Sequence, residues 1–369
     1  MDYTFELNNA KNDVLYSSGR INEKSPVVEI FSAMVDGKSL GNFGKKADLA
    51  VKYIKDLGLK ASANDQNAIS ELNEIRKFVI QPKLLQEIKL LGIMGSYKSL
   101  GWNDTAYLET ITYENVNGNI QADGQDVSTS FIRKVKTPLA PVTISGGVKS
   151  DYREISIGDM THENELMSEV QKDLRNKAVL YTLETVYKAI ESATGVKYFY
   201  EEAGLAKTSV DALLANIRRY GKPTVNGDYA ILAQFLPWIG YAGTVDSNLI
   251  TGVSQKVLDE IAETGLIGTY NGTILNEIPN GYNYSTLNAD GSNYETILPA
   301  GLALVTPAAP VGGVAPIQTF TFGGLTSFSG NSVSTGEVYT RFDLKIAAGV
   351  ASTDAIGIIH DTSLDTLSE

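Results

Sequence analysis

Histidine, cysteine and paired carboxylates are the side chains that most often do chemistry, and this sequence offers few of them. It contains no cysteine and two histidines, His162 and His360, about 200 residues apart. Neither histidine has companions at the spacing of a metal site or a catalytic triad, so we expect both to be surface or helix-start residues. The adjacent acids Glu201 and Glu202 are typical of exposed helix charges rather than of an acid/base pair.

Loop motifs that would hold a phosphate, a nucleophile or calcium do not occur either. The sequence has no phosphate-binding P-loop, no GxSxG and no HExxH. Residues 121–126 and 288–295 resemble calcium loops weakly, but they lack the twelve-residue ligand spacing and are better explained as Asx turns. No set of residues converges on a reaction. The sequence therefore predicts a protein that is not an enzyme and needs no cofactor or metal.

Composition indicates a folded, acidic protein. Hydrophobic residues make up 43% of the 369 residues, and the net charge of −12 argues against sequence-specific binding of nucleic acid. No apolar run is long enough to cross a membrane, and the N-terminus does not resemble a signal peptide. Without cysteine there are no disulfides, which suits a cytoplasmic origin.

Charge is unevenly distributed along the chain. Residues 38–98 carry eleven basic and six acidic residues, a balance of +5, whereas residues 290–369 carry two and eight, a balance of −6. The basic segment is either a solvated helical face or a surface turned toward a polyanion or an acidic neighbour. The sequence leaves both interpretations open.

The strongest structural signal is one long amphipathic helix. From Glu163 to Gly195 no Gly or Pro interrupts the chain, and apolar residues recur every three or four positions. The pattern predicts a single helix from Thr161 to Ala193, about 45 Å long at 1.5 Å per residue. Residues 140–160, which precede it, are strand-like. Such a rod suits a flat shell subunit better than a compact enzyme.

The first hundred residues are predicted to be an arm followed by helices. Residues 1–37 are polar and irregular, with one weak apolar cluster (PVVEIFSAMV), and we interpret them as an arm. Residues 43–58 and 66–94 have helical spacing. We expect Pro82 to break the second stretch, because its ring and missing N–H disrupt a helix.

A long β-hairpin is predicted next. Residues 107–114 and 130–136 are rich in β-formers and flank two turn dipeptides, Asn-Gly and Asp-Gly. The outbound strand carries acidic residues and the return strand basic ones: Glu109, Glu114, Arg133, Lys134 and Lys136. Opposed charges would guide the register. Neither strand has a clean apolar face, and an isolated hairpin is marginal in water, so we expect this one to lie on something, such as another subunit.

Residues 196–300 indicate a mixed α/β unit, and strand-like segments follow from residue 298. Helices fit residues 208–219, 228–236 and 254–263, and strands fit residues 224–225 and 269–278. Two polar segments, residues 242–251 and 279–293, are predicted to project as loops.

This order of elements resembles the major capsid protein of tailed bacteriophages, with the Hong-Kong-97-like fold also found in encapsulins. The resemblance covers residues 100–369 and depends on order and spacing. Its clearest phrases are VTISGGVKSDYREISIGDM before the long helix, LIGTYNGTILNEIPN, LPAGLALV and RFDLKIAAGVASTDAIGIIHD.

The resemblance implies an α+β fold with a defined division of the chain. Its parts are an N-terminal arm and helical segment (1–102), an extended hairpin or E-loop (103–137), a peripheral domain with the long spine helix (138–195), an axial α/β domain (196–297) and return strands of the peripheral domain (298–369). E-loop contacts between subunits are implied at Tyr107, Glu109, Ile111, Tyr113, Asn117, Arg133 and Lys134. Axial-domain loops at the capsomer axis would contain Asp246, Asn248, Tyr282 and Tyr284.

The implied function is that of a major capsid protein that self-assembles into pentamers and hexamers and closes an icosahedral shell around packaged dsDNA. Expected partners are further copies of the chain, a portal, a scaffold or maturation protease, decoration proteins and non-specifically bound DNA, but no membrane. The expected location is the virion capsid, assembled in the host cytoplasm. Some family members fuse an E-loop lysine to a neighbour's asparagine. Residues 115–128 contain no lysine, so we predict a non-covalent shell.

The helical, basic first hundred residues depart from the simplest family pattern. They are either a scaffold-like segment removed on maturation or a permanent inner layer that faces the genome. In the second case the DNA-facing residues would be Lys45, Lys46, Lys52 and Lys55. Two other functions stay open: an encapsulin-like compartment that holds cargo enzymes, and an acidic extracellular surface or binding protein, which the lack of a signal peptide disfavours.

Overall fold

The structure is a computed structural model that describes part of the chain. The described residues are 21–22, 24–36, 38, 40–89, 91–114, 120, 131–150, 155–156, 160–239, 265–288, 291–307, 314–331 and 338–364. Predicted elements at residues 242–251 and 254–263 lie outside them.

Helices are concentrated in the first half of the described residues. They are α1 (Pro26–Val35), α2 (Lys45–Ser62), α3 (Gln66–Ile88), α4 (Leu91–Met94), α5 (Met160–Glu191), α6 (Lys207–Ile217) and α7 (Tyr229–Ala233), with 3-10 turns at Leu40–Phe43 and Leu236–Ile239. The predicted helix at residues 161–193 is confirmed by α5. Its apolar stripe is buried at Val170, Leu174, Ala178 and Ile190.

Strands make up most of the second half. They are β1 (Ser96–Leu100), β2 (Ala106–Glu114), β3 (Phe131–Leu139), β4 (Val142–Ser150), β5 (Tyr198–Glu202), β6 (Pro223–Gly227), β7 (Thr269–Tyr270), β8 (Thr273–Glu277), β9 (Tyr282–Leu287), β10 (Tyr294–Thr296), β11 (Leu302–Pro307), β12 (Ile317–Asn331), β13 (Val338–Val350) and β14 (Gly357–Asp361). The segment predicted as a loop at residues 279–293 therefore contains a strand, β9.

The first sheet has the order β1-β12-β13-β4, and α5 packs on β13 and β4. β1 runs parallel to β12, and the other pairs are antiparallel. Gly146 on β4 lets α5 approach closely, since a Cβ there would lie 3.2 Å from Leu174. The rod thus lies on one strand that precedes it in the chain, β4, and on one that follows it, β13.

The second sheet has the order β5-β14-β11-β6-β8-β7. Alternate residues of β11 point to opposite faces, as strand geometry requires. Leu302 and Leu304 join the core around α5, whereas Ala303 and Val305 join a second core with α6 and α7. This sheet is therefore buried on both faces. The division expected at residue 297 runs through it, because β11 and β14 pair with β6 and β5.

The N-terminal segment belongs to the main core, so its interpretation as an arm was wrong over residues 26–35. This apolar cluster forms α1, which buries Val27, Val28, Ile30 and Phe31. Helices α1, α2 and α3 pack on one another, and α1 and α3 also contact α5. Fully burying each such side chain contributes about 1.5–3 kcal/mol, which explains why this segment folds onto α5.

The predicted helix break at Pro82 was also wrong. Helix α3 continues through Pro82 to Ile88. The residues on either side, Ile80, Leu84 and Ile88, are almost completely buried against the main core. Their burial outweighs the cost of about 3 kcal/mol that a proline imposes inside a helix.

The predictions for His360 and for the acids Glu201 and Glu202 were wrong as well. His360 is buried on β14, and its Nδ1 lies 2.9 Å from Oε1 of Glu201. Both acids lie on strand β5, not on a helix, and β5 runs parallel to β14 with Glu201 opposite His360. The side chain of His162 lies outside the described residues.

The residue after His360 ties the end of the described chain to two loops. Asp361 is buried and accepts hydrogen bonds from the side chains of Gln234 and Ser363 and from the N–H of Gly204. Burial alone would raise the pKa of Asp361, but these hydrogen bonds lower it to about 2. The carboxylate therefore stays charged at neutral pH.

Candidate assembly surface

The hairpin predicted from the sequence is present. β2 and β3 pair without interruption from Ala106 opposite Leu139 to Glu114 opposite Phe131. One pair of the opposed charges is in contact across the strands, since Glu109 Oε1 lies 3.0 Å from Lys136 Nζ. The hydrogen bond and the charge of Lys136 lower the pKa of the Glu109 carboxyl.

The root of the hairpin is packed on the first sheet. Ala106 is buried with Phe320, Phe322 and Ala347, and Leu139 packs against this cluster. Gly349 makes the approach possible, because a Cβ there would lie 3.0 Å from Leu108. The root is therefore held by apolar contacts on one face of the hairpin.

The outer half of that face is exposed. Side chains alternate along a strand, so Val135 and Phe131 lie on the same face as Ala106, Leu108 and Leu139. Val135 is 37% exposed and Phe131 is 56% exposed. Beyond the packed root, Val135 and Phe131, which are separated on this face by Arg133, are thus exposed in the part of the chain that the structure describes.

The opposite face of the hairpin contains most of the residues implied as subunit contacts. Tyr107 is exposed, Glu109 and Ile111 are half-buried, and Lys134 is exposed. Arg133 is exposed on the first face. Tyr113 lies on β2, but its side chain is not among those described, and Asn117 lies outside the described residues.

Three apolar residues of β3 were not identified as contacts from the sequence. They are Phe131, Ile132 and Val135, all exposed. Their exposure follows from the register with β2 and from where the body of the protein ends. The sequence feature that could have identified them as contacts is that they are apolar residues in a strand without a buried face.

A second exposed aromatic cluster lies on the small sheet formed by β9 and β10. Tyr282, Tyr284 and Tyr294 are each more than 40% exposed. The rings of Tyr284 and Tyr294 pack edge to face with centroids 5.3 Å apart. Tyr282 and Tyr284, predicted to lie in a loop, are on strand β9, whereas Asp246 and Asn248 lie outside the described residues.

The four lysines expected to face DNA lie on α2. Lys45, Lys46 and Lys52 are exposed and Lys55 is half-buried. Spacings of seven and three residues put Lys45, Lys52 and Lys55 on one side of the helix, opposite the buried Ile54. Lys46 points to a different side.

The described residues contain neither a metal site nor a membrane span. In this part of the chain no group of three or more His, Asp or Glu side chains could hold a metal ion. Its helices are all too short or too polar to cross a membrane.

Comparison with protein families gives one match that covers nearly the whole chain. The model of the family described as "SPbeta prophage-derived putative capsid protein YonB" matches residues 6–360. A search of curated proteins finds no match.

Several solved structures are similar at low identity. A virus-like particle from Pyrococcus furiosus shares 12% identity and a TM-score of 0.38, over 76% of this chain and 97% of that one. The mature capsid of bacteriophage PhiM1 is 13% identical, with a TM-score of 0.44, over 72% of this chain and 84% of that one. The procapsid of satellite phage P4 is 9% identical, with a TM-score of 0.44, over 76% of this chain and 90% of that one. With TM-scores below 0.5, these similarities add nothing to the family match.

Proposed function

The chain belongs to the YonB family of prophage-derived capsid proteins, and from this we propose that it self-assembles into pentamers and hexamers that close an icosahedral shell around packaged dsDNA. It is a structural protein of the virion capsid. The proposal includes assembly in the host cytoplasm. It also includes a portal, a scaffold or maturation protease and decoration proteins as partners, without enzymatic activity of the subunit itself.

The observation that supports self-assembly best is the exposed outer half of the hairpin. A two-stranded ribbon is marginally stable in water, and this one exposes the apolar side chains Phe131, Ile132 and Val135. A neighbouring subunit that covers them would gain about 1.5–3 kcal/mol per fully buried side chain. Repeated around a ring, such head-to-tail contacts generate closed capsomers.

We extend the proposal to the parts of the Hong-Kong-97-like fold. Residues 103–137 would act as the E-loop, α5 as the spine helix of the peripheral domain, and the sheet around β6 and β8 as the axial domain. The exposed tyrosines of β9 and β10 suit a contact at the capsomer axis, because tyrosine combines rigid apolar area with one polar group.

Replacing both Phe131 and Val135 by Ser tests the hairpin contact. We expect the unfolding temperature of the unassembled subunit to change by less than about 2 °C, because both side chains are already exposed. The yield of shells in negative-stain images should fall at least about tenfold, since each subunit loses two buried apolar groups. Val196→Ser, another exposed apolar residue, should assemble normally. Normal shells from the double variant would contradict the proposed contact.

We propose that the side of α2 that carries Lys45, Lys52 and Lys55 faces the packaged DNA, and the neighbouring Lys46 is changed together with them in the test. Changing Lys45, Lys46, Lys52 and Lys55 to Gln should leave shell assembly intact but lower the DNA-filled fraction of particles severalfold, because phosphate contacts depend on charge. The control changes four exposed lysines elsewhere: Lys172, Lys177, Lys188 and Lys197. Equal DNA content in both variants would argue against an inward face. Native particles that contain protein cargo and no nucleic acid would instead favour the compartment function.

A further inference from the structure

One buried side chain of the first sheet holds the backbone of the hairpin. Gln318 on β12 is 4% exposed. Its Oε1 accepts a hydrogen bond from the N–H of Glu109 at 3.1 Å, and its Nε2 donates to the carbonyl of Glu109 at 2.8 Å. The same Nε2 lies 3.3 Å from the carbonyl of Ala315. The carboxamide is thus fully engaged, and two of its bonds reach a single residue of β2.

These bonds are made on the edge of β2 that does not pair with β3. In an antiparallel pair, the N–H and C=O of a residue point to the same side. Since both groups of Glu109 reach Gln318, they face away from β3, and Glu109 and Lys136 form a non-hydrogen-bonded pair. Side chains approach closely in such pairs, which agrees with the ion pair between these residues. Gln318 therefore pairs with the N–H and C=O of Glu109, as a third strand beside β2 would do.

The bonds lie where the hairpin leaves the body of the protein. On the inner side of Glu109, Ala106 and Leu108 pack against the first sheet. On the outer side, Thr112 and its partner Arg133 are exposed. Nearby on β12, the ring of Trp102 covers Gly323, where any Cβ would clash with it. The root of the hairpin is thus held on β12 at two places.

We propose that Gln318 is a positioning residue that fixes the direction in which the hairpin leaves the subunit. This rests on the proposed function, in which the outer half of the hairpin contacts a neighbouring subunit. Apolar contacts at the root are non-directional, whereas paired hydrogen bonds restrict the angle. At about 3.3 Å per residue, Glu114 lies about 17 Å beyond Glu109, so a swing of about 20° moves it about 6 Å. Such a displacement is enough to lose a packed contact.

Gln318→Met tests the proposal, because it keeps the length of the side chain and removes both bonds. Hydrogen exchange at the Glu109 amide, resolved by fragmentation mass spectrometry of the full chain, should become about tenfold faster. The yield of shells should fall with it. Thr321→Val is the matched control: it removes a buried hydrogen bond to Tyr97 from the opposite face of the same strand. The two variants should unfold at similar temperatures, and the control should keep slow exchange at Glu109 and normal shells.

Glu109→Pro tests the same bonds from the other side and serves if Gln318→Met does not fold. Proline removes the donated N–H, and because that N–H faces away from β3, no bond between the two strands is lost. Exchange at the neighbouring amides of β2 should rise and shell yield should fall. Lys136→Met controls for the lost ion pair and should keep slow exchange at Glu109.

The outcomes separate this proposal from the hairpin contact itself. Unchanged exchange at the Glu109 amide in Gln318→Met would overturn the proposal. A second result would also overturn it: faster exchange at Glu109 in Gln318→Met together with a normal yield of shells, when the variant with Phe131 and Val135 replaced by Ser fails to assemble. If that serine variant assembles normally, the hairpin contact fails, whatever Gln318→Met does.

Discussion

At the residue scale, the most consequential polar contact joins the N-terminal helices to the rod. Arg76 on α3 is 2% exposed, and Glu163 on α5 is 4% exposed. The guanidinium binds both carboxylate oxygens, with Nη2 2.8 Å from Oε2, and Nη1 lies 3.2 Å from Thr340 Oγ1 on β13. Glu163 also lies in the first turn of α5, where the helix dipole favours a negative charge. One side chain thus links three elements.

Arg76→Met should be strongly destabilising, because it leaves the Glu163 carboxylate buried without its main partner. We expect the free energy of unfolding to fall by about 3–5 kcal/mol in urea titrations of the unassembled subunit. The double variant with Glu163→Leu should recover much of the loss. Lys83→Met removes an exposed pair with Asp36 and should cost less than about 1 kcal/mol. A loss from Arg76→Met as small as that of Lys83→Met would disprove the role of the pair.

Neither partner could be recognised from the sequence. Arg76 counted there only as one of eleven basic residues, and Glu163 only as the first residue of the stretch without Gly or Pro. Their pairing depends on how α3 lies across α5, which is set by apolar packing between segments far apart in the chain. The same holds for His360, which is buried because β14 pairs with β5.

At the element scale, the sequence predicted those helices and strands whose formation depends mainly on their own residues. The ends of α5 were correct to within two residues, because an uninterrupted apolar stripe encodes a helix by itself. The two strands of the hairpin were correct to within three residues at each end. The exposed stripe of Phe131 and Val135 was missed, because which face of a strand is covered depends on the rest of the molecule.

The N-terminal arm shows how burial hides a helix. Five of the ten residues of α1 are buried and Glu29 is its only charged residue, so the segment is too short and too apolar to show a clear helical period. The predicted break at Pro82 was wrong for a related reason, because the burial of the neighbouring side chains, which favours the helix, could not be seen in the sequence. In both cases tertiary contacts outweighed the local signal.

The packing of these helices predicts that residues 26–102 stay in the mature shell. Their removal would uncover the side of α5 that α1 and α3 contact and would leave Glu163 without Arg76, and it would take β1 from the edge of the first sheet. Mass spectrometry of chains from purified particles measures this directly. A mature N-terminus near residue 100 would show that the segment is a removable scaffold after all.

At the scale of the whole molecule, the order of elements was predictable but their pairing was not. The parallel pairing of β1 with β12 puts Ser96 beside Gln318, and no sequence pattern in either strand specifies the other. The sharing of the second sheet between residues 198–277 and residues 302–361 was equally hidden. Chain order suggested a boundary between these segments, whereas hydrogen bonding unites them.

The hairpin tip predicts a shell held together without covalent bonds. Residues 115–128 contain no lysine that could form an isopeptide bond. Mature particles boiled in detergent should therefore run as a single band at the subunit mass of 39.8 kDa. Bands at its multiples that survive boiling would reveal cross-links from another site.

The strand order of the first sheet also has a consequence for protein synthesis. β1 and β4 leave the ribosome early, but both pair with strands near the end of the chain, and β13 ends only at Val350. Until those strands emerge, the nascent rod has no sheet to lie on, and closing such distant contacts is slow. A product of premature termination before that point lacks this platform. We therefore expect truncated chains that end before Val350 to be excluded from the particle.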